Sequence, residues 1–233
     1  MMEEINSICN LEWRKYNWSI MPNNVHSPNA YAWKLYIIAE VYTEYDTFMW
    51  VDTSFTIEDV KSLDPIFNSI ESGNISETVF PGNAQHSIHF ATNLRTFTYL
   101  PIITDWIKLD KWDAEMYEAN FIIIHKSEHT RKLLKWTLLC ASTKECIEPE
   151  GSELYCTKPL NTRGTCHRRD QSAFGIINVN LEYKRSLTDE KFIPHFNEEH
   201  PRKYSKHKIR RREKLDNKVD FKKEVACCKL PST

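Results

Sequence analysis

Apolar residues return every three or four positions through SPNAYAWKLYIIAEVYTEY, where Leu35, Ile38, Val41 or Tyr42, and Tyr45 recur. That spacing predicts a helix that Ser27 caps and Pro28 starts. In DTFMWVDTSF the apolar run is short and unbroken, which predicts a buried strand leading into a loop. DPIFNSIESG predicts a short helix with Asp64 as cap, Pro65 in the first turn and Gly73 as its stop. HSIHFAT and the stretch from Phe121 to His125 predict two more strands. SEHTRKLLKWTLLCA predicts a helix with Leu133, Trp136 or Thr137, and Cys140 along one side. HRRDQSAFGIINVNLEY predicts another after Asp170, with Ala173, Ile176, Ile177 and Leu181 facing inward. Helix, strand, helix, strand, helix implies an α/β domain layered on a mixed sheet.

That pattern fills residues 1–199. From His200 the chain turns polar, with 12 Lys or Arg against 4 acids, and reads as a mobile tail or a loosely attached helix. KHKIRRREK within it is either a nuclear or RNA-binding element or a solvated basic tail. The whole chain is nearly neutral, with a formal net charge of -1 over 233 residues, so no global pull toward nucleic acid or membrane exists. Only 5 glycines are present and no Gly-rich phosphate loop occurs. Of the 7 cysteines, Cys140, Cys146, Cys156 and Cys166 cluster without a Cys-x-x-Cys pair. The spacing fits two disulfides better than zinc, with the pairing left open. Two sequons, at Asn17 and Asn74, fit a secretory protein. The polar start MMEEINSICN is unlike a signal peptide, and no apolar run is long enough to span a membrane.

Three places can carry chemistry. Asp52 ends the apolar run WV, where open α/β sheets bind ligands. It is either an acid for a ribose hydroxyl or a cation, or a turn residue bonding backbone amides. Ser54 follows it with a hydroxyl. CHRRDQSA opens a helix, where free amides and the positive dipole end favour anions. His167, Arg168, Asp170 and Gln171 crowd there, although Asp170 also suits a plain N-cap. Glu118, just before a strand, is a third acid that can face the same cleft or lie in a surface loop. His86 and His89, with two residues between them, are either a pair sharing a metal or ordinary packed histidines.

Taken together, NAYAWKLYIIAEVYTEYDTFMWVDTSFTI, MYEANFIIIH and LLCASTKECIEPEGSELYC with CHRRDQSAFGI resemble an uncharacterised, nematode-rich glycosyltransferase-like family of animals. The resemblance runs from about Cys9 to Tyr183. It implies a Rossmann-like, GT-A type nucleotide-diphospho-sugar transferase domain on a type II membrane protein of the Golgi or secretory lumen. It makes Asp52 the first acid of a degenerate Asp-x-Asp element, contacting the nucleotide and its Mn²⁺ or Mg²⁺, with Ser54 in the second acid's place. It puts Asp170, His167 and Gln171 beside the sugar and acceptor; Glu118, read only from its place before a strand, is the last of the catalytic candidates. It makes disulfides the expected state of the clustered cysteines. Asn120 and Arg169 depart from the family's glycine and aromatic. The family's first strand-helix-strand unit and its membrane anchor have no counterpart in this sequence. The implied partners are a nucleotide sugar and a glycan or protein acceptor. The alternative is a binding or structural protein of the same fold without transfer, or, through the basic tail, a nucleic-acid binder.

Overall fold

The computed structural model describes residues 10–102, 114–156, 164 and 166–209. Cys9, Cys227, Cys228 and the basic stretch beyond Ile209 lie outside them. Among the described residues the chain is mixed α/β. Helix α1 is Ala32–Glu44, strand β1 is Thr47–Val51, and β2 is Phe55–Asp59. Helix α2 is Asp64–Glu71, followed by β3, Thr78–Val79, β4, Asn83–Ser87, and β5, Glu115–Tyr117. Then come β6, Phe121–His125, α3, Glu128–Ser142, α4, Lys144–Ile147, α5, Asp170–Ser186, and β7, Lys206–Ile209. No helix among the described residues is long and apolar enough to cross a membrane.

The sheets are small and antiparallel, where one mixed sheet was expected. The main one has the order β1-β6-β3, and β2-β7 and β4-β5 form two-stranded ribbons. Strand β6 sits between two partners and is covered on both faces. Ile122 and Ile124 point into the larger core with Leu35, Ile38, Leu133 and Ile176. Phe121 and Ile123 point the other way, onto Phe55, Ile66 and Ile70. Burial on both sides is why FIIIH is a continuous apolar run rather than an alternating one. Strand β1 lies at the edge instead, with Met49 and Val51 exposed, so the expectation of a buried strand there is corrected.

Helices α1, α3 and α5 cover one face of the sheet. A turn of 3-10 helix at Pro28–Ala30 precedes α1, and Tyr31 takes a left-handed conformation before it. The helix therefore starts later than Ser27 suggests, and Tyr45 ends it exposed. The capping box at Ser127 starts α3 as expected. HSIHFAT is not a strand: β4 stops at Ser87, and His86 and His89 do not share a strand face. No group of three or more metal-ligating side chains occurs among the described residues.

The domain does not end at residue 199. His200 and Arg202 are buried, and β7 pairs with β2, with Lys208 ion-paired to Glu58 and Lys206 to Asp59. What docks this segment is a buried polar cluster. Glu182 of α5 accepts from the His195 backbone amide at 3.1 Å and from its Nδ1 at 2.5 Å. The Phe80 amide donates to His195 Nε2 at 3.0 Å, so the ring is neutral with its proton on Nδ1. His200 stacks on His195, and Arg202 donates to the His195 carbonyl and lies over the Tyr117 ring. Leu181, expected inward, is only half-buried; Glu182 beside it faces the interior.

Candidate functional site

The turn that ends β1 is made by backbone: the Asp52 amide donates to the Asn120 carbonyl at 2.8 Å, and the Asp52 carbonyl accepts from the Phe55 amide at 2.9 Å. This leaves the Asp52 carboxylate free of turn amides. Its Oδ1 accepts from the Trp50 indole at 2.7 Å and looks into a cleft of about 210 Å³. Ser54, Glu118, Asp170 and Gln171 line the same cleft. Three separated chain segments thus bring five of the six candidate residues together.

Asp170 is the first residue of α5, and Arg169 before it, not Asp170, stands in the N-cap position. Its carboxylate is buried and ion-pairs with Lys34 Nζ at 2.7 Å. Burial pushes the Asp170 carboxyl upward from its ordinary value, against the pull of the Lys34 ammonium. Lys34, on the first turn of α1, is only 3% exposed. Its ammonium also donates to the Ala119 carbonyl at 3.0 Å and stands 3.6 Å from Asp52 Oδ1. The Trp50 and Tyr31 rings flank it at 5.5 and 5.7 Å. A buried ammonium between two carboxylates is the centre of the site, and the motif reading missed it. The available signal was a lysine on the inward face of α1, one turn from Ile38.

The walls are polar. Glu118 accepts from Asn120 Nδ2 at 3.0 Å, and burial raises its carboxyl above the usual range. Gly82 makes room for it, since a Cβ there would come within 2.9 Å of Glu118 Oε2. Arg168 donates to Gln171 Oε1 at 3.3 Å and to the Leu154 carbonyl at 3.4 Å. Tyr155 stands at the rim, 74% exposed.

The segment before α5 is held in place by its surroundings. Cys156 and Cys166 form a disulfide, as do Cys140 and Cys146 between α3 and α4. Arg169 sits at φ 53, a conformation few side-chain residues adopt. Ser152 and Glu148 hold its guanidinium away from the cleft, and the turn lets Arg168 and Asp170 both reach it. Strain of this kind persists where neighbours over-determine it.

His167 stands apart from the cleft. It is fully buried, accepts from the Asn93 amide, and donates through Nε2 to the Ile147 carbonyl at 3.1 Å. Burial and the nearby Arg169 push its pKa down to about 3, so it is a neutral brace and not a proton carrier near neutral pH.

The donor set suits Mn²⁺ or Mg²⁺ poorly. These ions want several oxygen ligands, yet Asp170 is committed to Lys34, Asp52 Oδ1 to Trp50, and Ser54 is a neutral hydroxyl. The Lys34 ammonium would repel a cation at the point where the two carboxylates meet. No protein-family model, curated protein or solved structure matches the chain.

Proposed function

We propose that this is a glycosyltransferase-like protein with a Rossmann-like, GT-A type domain, moving a sugar from a nucleotide donor to an acceptor hydroxyl. The observation that carries the reading is the convergence of Asp52 and Asp170 on one buried ammonium within a polar cleft. Asp52, Glu118 and Asn120 offer acceptors for sugar hydroxyls. Tyr155 offers an aromatic face at the rim, and Arg168 a guanidinium suited to phosphate. Burial raises Asp170 toward the range of a useful general base. In the transfer, the acceptor hydroxyl gives its proton to Asp170 and its oxygen bonds to the anomeric carbon. The bond from that carbon to the donor phosphate oxygen breaks, and the electron pair leaves with the diphosphate. The two disulfides support an oxidising, lumenal compartment.

The cleft, about 210 Å³, is below the roughly 300–1,000 Å³ of a drug-sized ligand pocket. The nucleoside of a donor would lie beyond it. This size also favours a second reading, a sugar-binding protein without transfer.

Thermal melts with a panel of UDP-sugars and free sugars, paired with a UDP-release assay, separate the two. At a hundredfold excess over Kd, a bound donor raises Tm by about 5–10 °C. Asp52→Asn is expected to lose that shift and the UDP release with it. A shift with free sugars and no UDP release establishes the binding reading; no shift with any of them sinks both.

A further inference from the structure

We propose that the Lys34 ammonium does the work of a divalent cation here, so that the cleft takes a diphosphate-bearing ligand without a metal. This rests on the transferase reading for the ligand, but not for the charge arrangement. The ammonium has three donors. One meets the Ala119 carbonyl at 3.0 Å, and the Asp170 carboxylate stands 2.7 Å away as an ion pair that occupies a second. Asp52 Oδ1, at 3.6 Å, is too far to claim the third fully. Lys34 itself helps to line the cleft. The ammonium therefore has a donor left for a phosphate oxygen, as a metal ion would meet it, with Arg168 supplying a second positive group.

The position is built. Lys34 is buried and its stem is fixed on α1, packed between Trp50 and Tyr31. Asp170 cannot turn to a metal without leaving this ammonium unpaired. Asp52 lacks a second acid two residues on, because Ser54 stands there. A cation between Asp52 and Asp170 and the Lys34 ammonium are mutually exclusive occupants of one place.

The test is a pair of Mn²⁺ titrations followed by electron paramagnetic resonance, on the protein without ligand. Wild type is expected to bind no Mn²⁺ in the cleft. Lys34→Gln, which frees both carboxylates, is expected to gain a site at least about tenfold tighter than any wild-type binding. Adding Asp52→Asn to that variant is expected to remove it. Melts of wild type with UDP-sugars should shift equally in EDTA and in Mn²⁺. Wild-type Mn²⁺ binding that Asp52→Asn abolishes overturns the proposal, as does a donor shift that requires Mn²⁺. A folded Lys34→Gln that gains no site overturns it too. Should Lys34→Gln not fold, the wild-type titration decides alone. Failure of every UDP-sugar with and without Mn²⁺ overturns the transferase reading instead, and the Mn²⁺ titrations still decide the role of Lys34.

Discussion

Lys34 and Asp170 form a buried ion pair, and buried pairs behave asymmetrically. Removing one partner leaves a desolvated charge and costs about 3–5 kcal/mol, whereas an apolar pair of similar size is often neutral. Asp170→Leu is therefore expected to destabilise by that amount, and Lys34→Met/Asp170→Leu to recover most of it. Urea unfolding of the three proteins checks this; a double variant as weak as the single would mean that the pair is not the source of the loss. The double variant is also expected to lose ligand binding while keeping the fold, which separates the two roles of the pair. Asp52 and Asp170 were legible in the sequence because each stands at the junction of an apolar run and a polar turn. Lys34 was not, since only packing brings a helical lysine to residues far along the chain. His167 misled for the reverse reason. It sits in the right motif, but its ring turns into the backbone behind Cys166.

Among the elements, the segments on either side of the Cys156–Cys166 bridge form one wall of the cleft: Leu154 and Tyr155 precede it and Arg168 follows it. The disulfide joins these segments, and a loop of this size stabilises by about 2–3 kcal/mol. Cys156→Ser/Cys166→Ser is expected to lower Tm by roughly 5–10 °C. Donor affinity is expected to fall more than it does when Cys140 and Cys146 are replaced together, because that bridge ties α3 to α4 and lies outside the cleft. Equal losses of affinity for the two pairs would count against a positioning role for the 156–166 bridge. That these four cysteines would be oxidised was expected from the resemblance, and from their clustering only for an oxidising compartment. Which pairs form needed the geometry, since spacing allows three pairings of four cysteines.

At the scale of the whole molecule, buried histidines set the acid limit. Burial pushes His200 down to about 2, His167 down to about 3, and His195 well below its ordinary value. Unfolding returns each to about 6.5. Below that pH the unfolded chain takes up protons that the folded chain refuses. The contribution of these residues is complete above about pH 6.5 and falls as pH drops, by ~1.4 kcal/mol per histidine for each pH unit. Glu182, raised by burial, works in the opposite sense: keeping it as a carboxylate costs stability as pH rises past about 4.3. Arg202 beside His195 and His200 adds to the cost of charging either ring. The urea midpoint is expected to be flat from about pH 8 to 7 and to fall steeply between about pH 6 and 4. A midpoint that holds down to about pH 4 would show that carboxylates, not these histidines, set the limit.

The sequence by itself determined the long helices, the central strand and the α/β class, because each is a local pattern of apolar spacing with its own caps and stops. It also marked the acids at the element ends. Tertiary structure alone decided that the sheets are small and antiparallel, since strand partners are chosen by packing between distant segments. It decided that residues 200–209 belong to the domain, where Arg202 and His200 close over His195 in a stretch whose composition reads as solvated. And it decided the centre of the cleft: a charge that looks like a surface lysine along the chain is buried between two acids once α1, β1 and α5 pack together.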